Sequence, residues 1–85
     1  MGESILKDFS MDMHSRLKNT VDAGVKCKVN ESEDRLYIEI NRLGLVYKTF
    51  IENISDIATD EKKVEYEFDK VIKKYRSFVN HKFFY

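Results

Sequence analysis

Three runs decide the fold: Val25-Lys26-Cys27-Lys28-Val29-Asn30, Leu36-Tyr37-Ile38-Glu39-Ile40-Asn41 and Leu45-Val46-Tyr47-Lys48-Thr49-Phe50-Ile51. In the first two, apolar and polar residues alternate strictly. That period of two puts one set of side chains on each face of a half-buried strand. The third is rich in β-branched and aromatic residues, the composition of a strand. Asn30-Glu31-Ser32-Glu33-Asp34 between the first two is polar and turn-forming. Asn41-Arg42-Leu43-Gly44 between the second and third reads as a tight turn with Asn first and Gly fourth. Connections this short make the three strands an antiparallel meander. The strands are predicted over 25–30, 35–41 and 45–51.

On the N-terminal side, Ile5, Leu6, Phe9, Met13, Leu17 and Val21 recur at steps of three and four. They mark the apolar face of a helix over 4–23, with Gly24 placed for a left-handed C-terminal cap. On the C-terminal side, Val64, Phe68, Val71, Tyr75 and Phe78 step by four, three, four and three, widened by Ile72 and Val79. This predicts a helix over 60–82. Residues 63–68 also alternate as a strand would, but the helical stripe runs on unbroken to Val79 and acids crowd its first turns, which decides for helix. Residues 52–58 form a connection with room for one helical turn burying Ile54 and Ile57. The reading is a single α+β domain over 1–85, order α-β-β-β-α. Two amphipathic helices pack on one sheet face against Val25, Cys27, Val29, Leu36, Ile38 and Ile40.

Composition narrows the function classes. Fifteen basic residues balance fifteen acidic ones over 85 residues, whereas a dedicated nucleic-acid-binding domain is usually basic. Hydrophobic residues make up 42% and aromatics 13%, enough for a core and against disorder. The early acids Glu3, Asp8 and Asp12 do not resemble a secretory leader. No run nears the roughly 18 apolar residues of a membrane span. One cysteine, Cys27, allows no internal disulfide. A cytoplasmic protein, with an AT-rich residue bias that suits a bacterial or phage gene, is the expectation.

Little points to catalysis. Cys27 lies between Val25 and Val29 on the apolar side of a strand, where a thiol packs as a small hydrophobe. His14 and His81 belong to no spaced ligand set, and Gly2, Gly24 and Gly44 are isolated. No nucleophile elbow, zinc spacing or phosphate loop is present. No cofactor, no metal and no enzymatic activity are expected.

Two features suggest binding. Asp60, Glu61, Glu65, Glu67 and Asp69 load the first half of the last helix, and Lys70, Lys73, Lys74, Arg76 and Lys82 the second. Such a gradient complements the helix dipole; the same five cations could also contact a phosphate backbone. Seven of the eleven aromatics lie at or after Tyr66, and the sequence given ends Phe83-Phe84-Tyr85. These three are candidate contacts for another protein, since aromatics anchor interfaces. The leading expectation is therefore a protein-binding or regulatory module, self-association through the last helix included, with nucleic-acid binding as the alternative.

The element order is similar to that of the double-stranded-RNA-binding domain in topology and approximate size. That family carries a histidine-containing loop between its first two strands and a lysine-rich start to its last helix. Here the loop is Asn30-Glu31-Ser32-Glu33-Asp34, and Lys62 and Lys63 stand among Asp60, Glu61, Glu65 and Glu67. Both marks are missing, so the likeness is of topology alone. The order also resembles that of some small phage anti-CRISPR proteins, in size and architecture. That resemblance implies an inhibitor of a nucleic-acid enzyme whose acidic loops occupy a basic groove. Glu31, Glu33 and Asp34, with Asp60 and Glu61, would be the acidic contacts; otherwise they are solvated turn and helix-start residues.

Overall fold

The computed structural model describes the backbone of residues 2–83 and the side chains of residues 5–82. Its elements are α1 (Gly2–Thr20), β1 (Gly24–Asn30), β2 (Arg35–Arg42), β3 (Leu45–Glu52), α2 (Ile54–Ile57) and α3 (Glu61–Phe83). The strands form an antiparallel sheet in the order β1-β2-β3. Register stacks three inner rows: Val25–Ile40–Tyr47, Cys27–Ile38–Thr49 and Val29–Leu36–Ile51. Phe9, Met13, Leu17 and Val21 of the α1 region cover them with Val64, Val71, Ile72, Tyr75 and Val79 of α3. Leu36, Ile40, Met13, Leu17 and Ile54 are fully inaccessible. Truncating a buried Leu, Ile or Met to Ala costs about 2–5 kcal/mol. The expected α+β meander with both helices on one face is the observed fold.

Several expectations are corrected in detail. The first helix ends at Thr20, not at residue 23, and Val21 makes its last helical hydrogen bond, to the Leu17 carbonyl at 2.8 Å. Val21 stays buried in the bend that follows, so the apolar period outruns the helix. Gly24 is no left-handed cap: it opens β1 opposite Asn41, and Gly44 is the glycine with positive φ. Ile5, expected on the apolar face, is 44% exposed. Of the predicted sheet core, Cys27 and Val29 are only half-buried.

The second turn is tighter than the sequence suggests. Arg42 pairs with Leu45, leaving Leu43 and Gly44 as a two-residue loop with φ of 52° and 86°. Positive φ at both central positions is the turn whose twist matches a hairpin. It therefore displaces the Asn41–Gly44 turn by one residue and extends β2 to Arg42, while β3 starts at Leu45 as expected and runs one residue further at its other end, to Glu52.

Residues 63–68 are helical. Asp60 starts the helix: its carboxylate accepts from the Lys62 and Lys63 N–H groups at 3.1 and 3.4 Å, and its carbonyl from Val64 N–H at 3.0 Å. That capping of otherwise orphaned donors sets the start at Glu61. The expected turn burying Ile54 and Ile57 is α2. Asp34, at φ 56°, holds it in place. Its carboxylate accepts from Ser55 N–H at 3.1 Å and Ser55 Oγ–H at 2.8 Å, while its carbonyl takes Ile54 N–H at 3.2 Å. The first turn and α2 are thereby one unit. The predicted contacts Phe84 and Tyr85, and the Phe83 side chain, lie outside the described residues.

Candidate functional site

The core stripe of α3 fixes where its charges go. Val64, Val71, Ile72, Tyr75 and Val79 face inward, so at 3.6 residues per turn the intervening positions face solvent. Lys70, Lys73, Lys74, Arg76 and Lys82 are all exposed. Among the described residues none of the five makes an ion pair. The Lys70 ammonium stands 6.0 Å from the centroid of the exposed Tyr66 ring, the one ring or ionic contact the five make among the described residues. The five divide by direction. Lys70 and Lys74 line a groove of about 580 Å³ between α3 and β3. Lys73 and Arg76, with Ser77, Asn80 and His81, line a shallow depression of about 440 Å³. Every side chain lining that depression can donate a hydrogen bond, and none is a carboxylate.

The acids fare differently. Asp34 bonds Ser55 with both oxygens, Glu33 accepts from the Tyr37 hydroxyl at 2.7 Å, and Asp60 caps α3. Glu61 pairs with Arg16, which also holds Asp12 at 2.9 Å, and Glu52 pairs with Arg35 at 3.0 Å. Among the five predicted acidic contacts, only the exposed Glu31 side chain has no such bond within the described residues. The fold thus commits Glu33, Asp34, Asp60 and Glu61 to turns, a cap and an ion pair, while the five α3 cations, like Glu65, Glu67 and Asp69 on the same helix, carry no ion pair among the described residues.

The outer sheet face carries a cluster that sequence reasoning missed. Tyr37 and Phe50 pair across β2 and β3, with ring centroids 5.9 Å apart, and the Arg35 guanidinium lies 4.5 Å from the Phe50 centroid. Phe50 remains 45% exposed. Lys26, Lys28 and Lys48 surround the cluster, and Lys48 reaches Glu39 at 3.9 Å. Period-two parity from Leu36 and Ile51 would have placed both rings outward; only the register needed to put them side by side was lacking.

Cys27, the one thiol, is half-buried on β1. Burial pushes the Cys27 thiol up to about 11, so it stays protonated at neutral pH. His14 is engaged: its Nε2–H donates to the Val25 carbonyl at 3.0 Å, tying α1 to the β1 edge. No group of three metal-binding side chains occurs among the described residues, and no helix there is long and apolar enough to cross a membrane. The Tyr75 hydroxyl is buried without a hydrogen-bond partner among the described residues. No family model, curated protein or solved structure matches the chain.

Proposed function

We propose that the chain is a non-enzymatic binding module that sets the basic half of α3 against the phosphate backbone of a nucleic acid. The observation that carries this reading is the cluster Lys70, Lys73, Lys74, Arg76 and Lys82, exposed, without ion pairs among the described residues, and with no acid after Asp69. Dipole complementarity accounts for cations in the last turn, where the effect decays; Lys70 and Lys73 stand well before it. The commitment of Asp34, Glu33, Asp60 and Glu61 to internal bonds weighs against a charge-mimicking acidic loop. A neutral chain then binds weakly and locally, with affinity that falls as salt rises.

The test is a mobility shift at low salt with a 20-nucleotide single strand and a 20-base-pair duplex. Wild type retards at least one of them, and the double reversal Lys73→Glu/Arg76→Glu, at exposed positions, removes most of the shift while the circular dichroism melt is unchanged. Absence of any shift with wild type sinks the reading.

A second reading, a protein-binding module, is favoured by the outer-face cluster of Tyr37, Phe50 and Arg35, residue types enriched at interfaces. A stoichiometric protein that copurifies with wild type and is lost with Tyr37→Ala would support it.

A further inference from the structure

We propose that the groove between β3 and α3 is a single-strand site, in which an unpaired base stacks at Phe50 while neighbouring phosphates rest on Lys70 and Lys74. The inference rests on the polyanion reading above and adds which nucleic acid is bound and where. Phe50 lines the groove together with Thr49, Lys63, Lys70 and Lys74. It combines what a single strand needs: an exposed aromatic platform and a cationic rail. Arg35 lies over one face of the Phe50 ring and Tyr37 packs beside it, so a base would use the part of Phe50 left exposed or stack on the guanidinium plane, which can itself carry a base. A duplex keeps its base faces inside the stack, so only an unpaired nucleotide can use Phe50.

β3 lies at the sheet edge, and an edge strand leaves part of its backbone N–H and C=O groups unpaired. Among the described residues no backbone bond joins residues 45–51 to another element outside the sheet. Those groups can meet base edges. The groove also holds Glu52, Asp56 and Glu67. Glu52 is neutralised by Arg35. Asp56 and Glu67 precede Lys70 on the α2 side, so they repel phosphate there and confine it to the Lys70–Lys74 end.

The experiment measures fluorescence anisotropy of labelled dT20 and of a labelled 20-base-pair duplex at one low salt concentration. It compares wild type, Phe50→Ala, Phe50→Trp and Lys70→Ser/Lys74→Ser, each checked for an unchanged thermal melt. Loss of a stacked base is worth about 1–3 kcal/mol, so Phe50→Ala should weaken dT20 at least fivefold and leave duplex binding within twofold. Phe50→Trp should restore dT20 binding, and the lysine pair should weaken dT20 more than duplex. The inference is overturned if Phe50→Ala leaves dT20 within twofold. Displacement of dT20 by polyglutamate of equal charge as readily as by unlabelled dT20 overturns it as well. In both cases the α3 reading survives on any remaining binding; failure of wild type to bind either probe overturns both.

Discussion

Replacing Asp34 with alanine should be the most damaging change at any exposed turn of this protein. The residue sits at φ 56° and joins the β1–β2 turn to α2 through Ser55 N–H at 3.1 Å and Ser55 Oγ–H at 2.8 Å. Each of those bonds contributes about 1 kcal/mol net. Alanine in the left-handed region costs roughly another 1 kcal/mol, which an Asp or Asn largely escapes. The sum is about 2–3 kcal/mol, against a total stability of roughly 4–13 kcal/mol for a chain of this size. The melting temperature should fall by about 10–20 °C. Asn at this position keeps an acceptor for Ser55 N–H and tolerates the backbone, so Asp34→Asn should lose no more than about 1 kcal/mol. Ser55→Ala removes the same hydroxyl bond and should cost about as much as Asp34→Asn, about 1 kcal/mol. Urea titrations followed by far-ultraviolet circular dichroism measure all three. A loss below about 0.5 kcal/mol for Asp34→Ala, or equal losses for Ala and Asn, would refute the reasoning, because the capping bond and the backbone preference would then carry nothing.

Three further outcomes follow from single features. Leu43 holds φ 52° in a two-residue loop and is 82% exposed, so Leu43→Asn should raise stability by about 0.5–1 kcal/mol, while Gly44→Ala at φ 86° should lower it by about 1 kcal/mol; chemical denaturation reads both. The Tyr75 hydroxyl is buried without a partner among the described residues, so Tyr75→Phe should be neutral or stabilising by up to about 1 kcal/mol in the same titration, and a clear destabilisation would reveal a bond that the packing does not account for. Burial raises the Cys27 thiol from 9.0 to about 11. A raised folded-state value means that its contribution is complete below pH 9 and is lost as pH climbs toward 11, so wild type should lose more stability than Cys27→Ala across that window, and native Cys27 should react with a thiol reagent at pH 8 far more slowly than the unfolded chain.

The strands were legible because alternation at Val25–Val29 and Leu36–Ile40 leaves one register that buries one face. The final helix was legible from its stripe, and Asp60 settles its start by a bond that any N-cap acid can make. What escaped the sequence was set by contacts distant along the chain or by strained backbone. Asp34 caps α2 across 21 residues, and no local pattern announces a cap supplied from so far away. Leu43 in the left-handed region contradicts its own preference, so the sequence places the turn one residue early, at Asn41–Gly44 instead of Arg42–Leu45. Gly24 after an apolar stripe reads as a cap, yet Val21 stays buried without further helix and the bend needs no glycine. At the candidate site the five α3 cations were legible as a cluster. That four of the five predicted acidic contacts are engaged and these cations are not depends on tertiary pairs such as Arg16–Glu61. The Tyr37–Phe50 platform depends on register, and the groove beside it on how far α3 stands from β3.

The most direct measurement is the salt dependence of binding of a labelled 20-nucleotide single strand by wild type and by variants neutralised one residue at a time at Lys70, Lys73, Lys74, Arg76 and Lys82. If all five touch phosphate, the logarithm of the binding constant should fall against the logarithm of salt with a slope of about −3.5, and each neutralised residue should reduce that slope by about 0.7. A slope near zero, or one that the five substitutions leave unchanged, would contradict the placement of a nucleic-acid surface on α3.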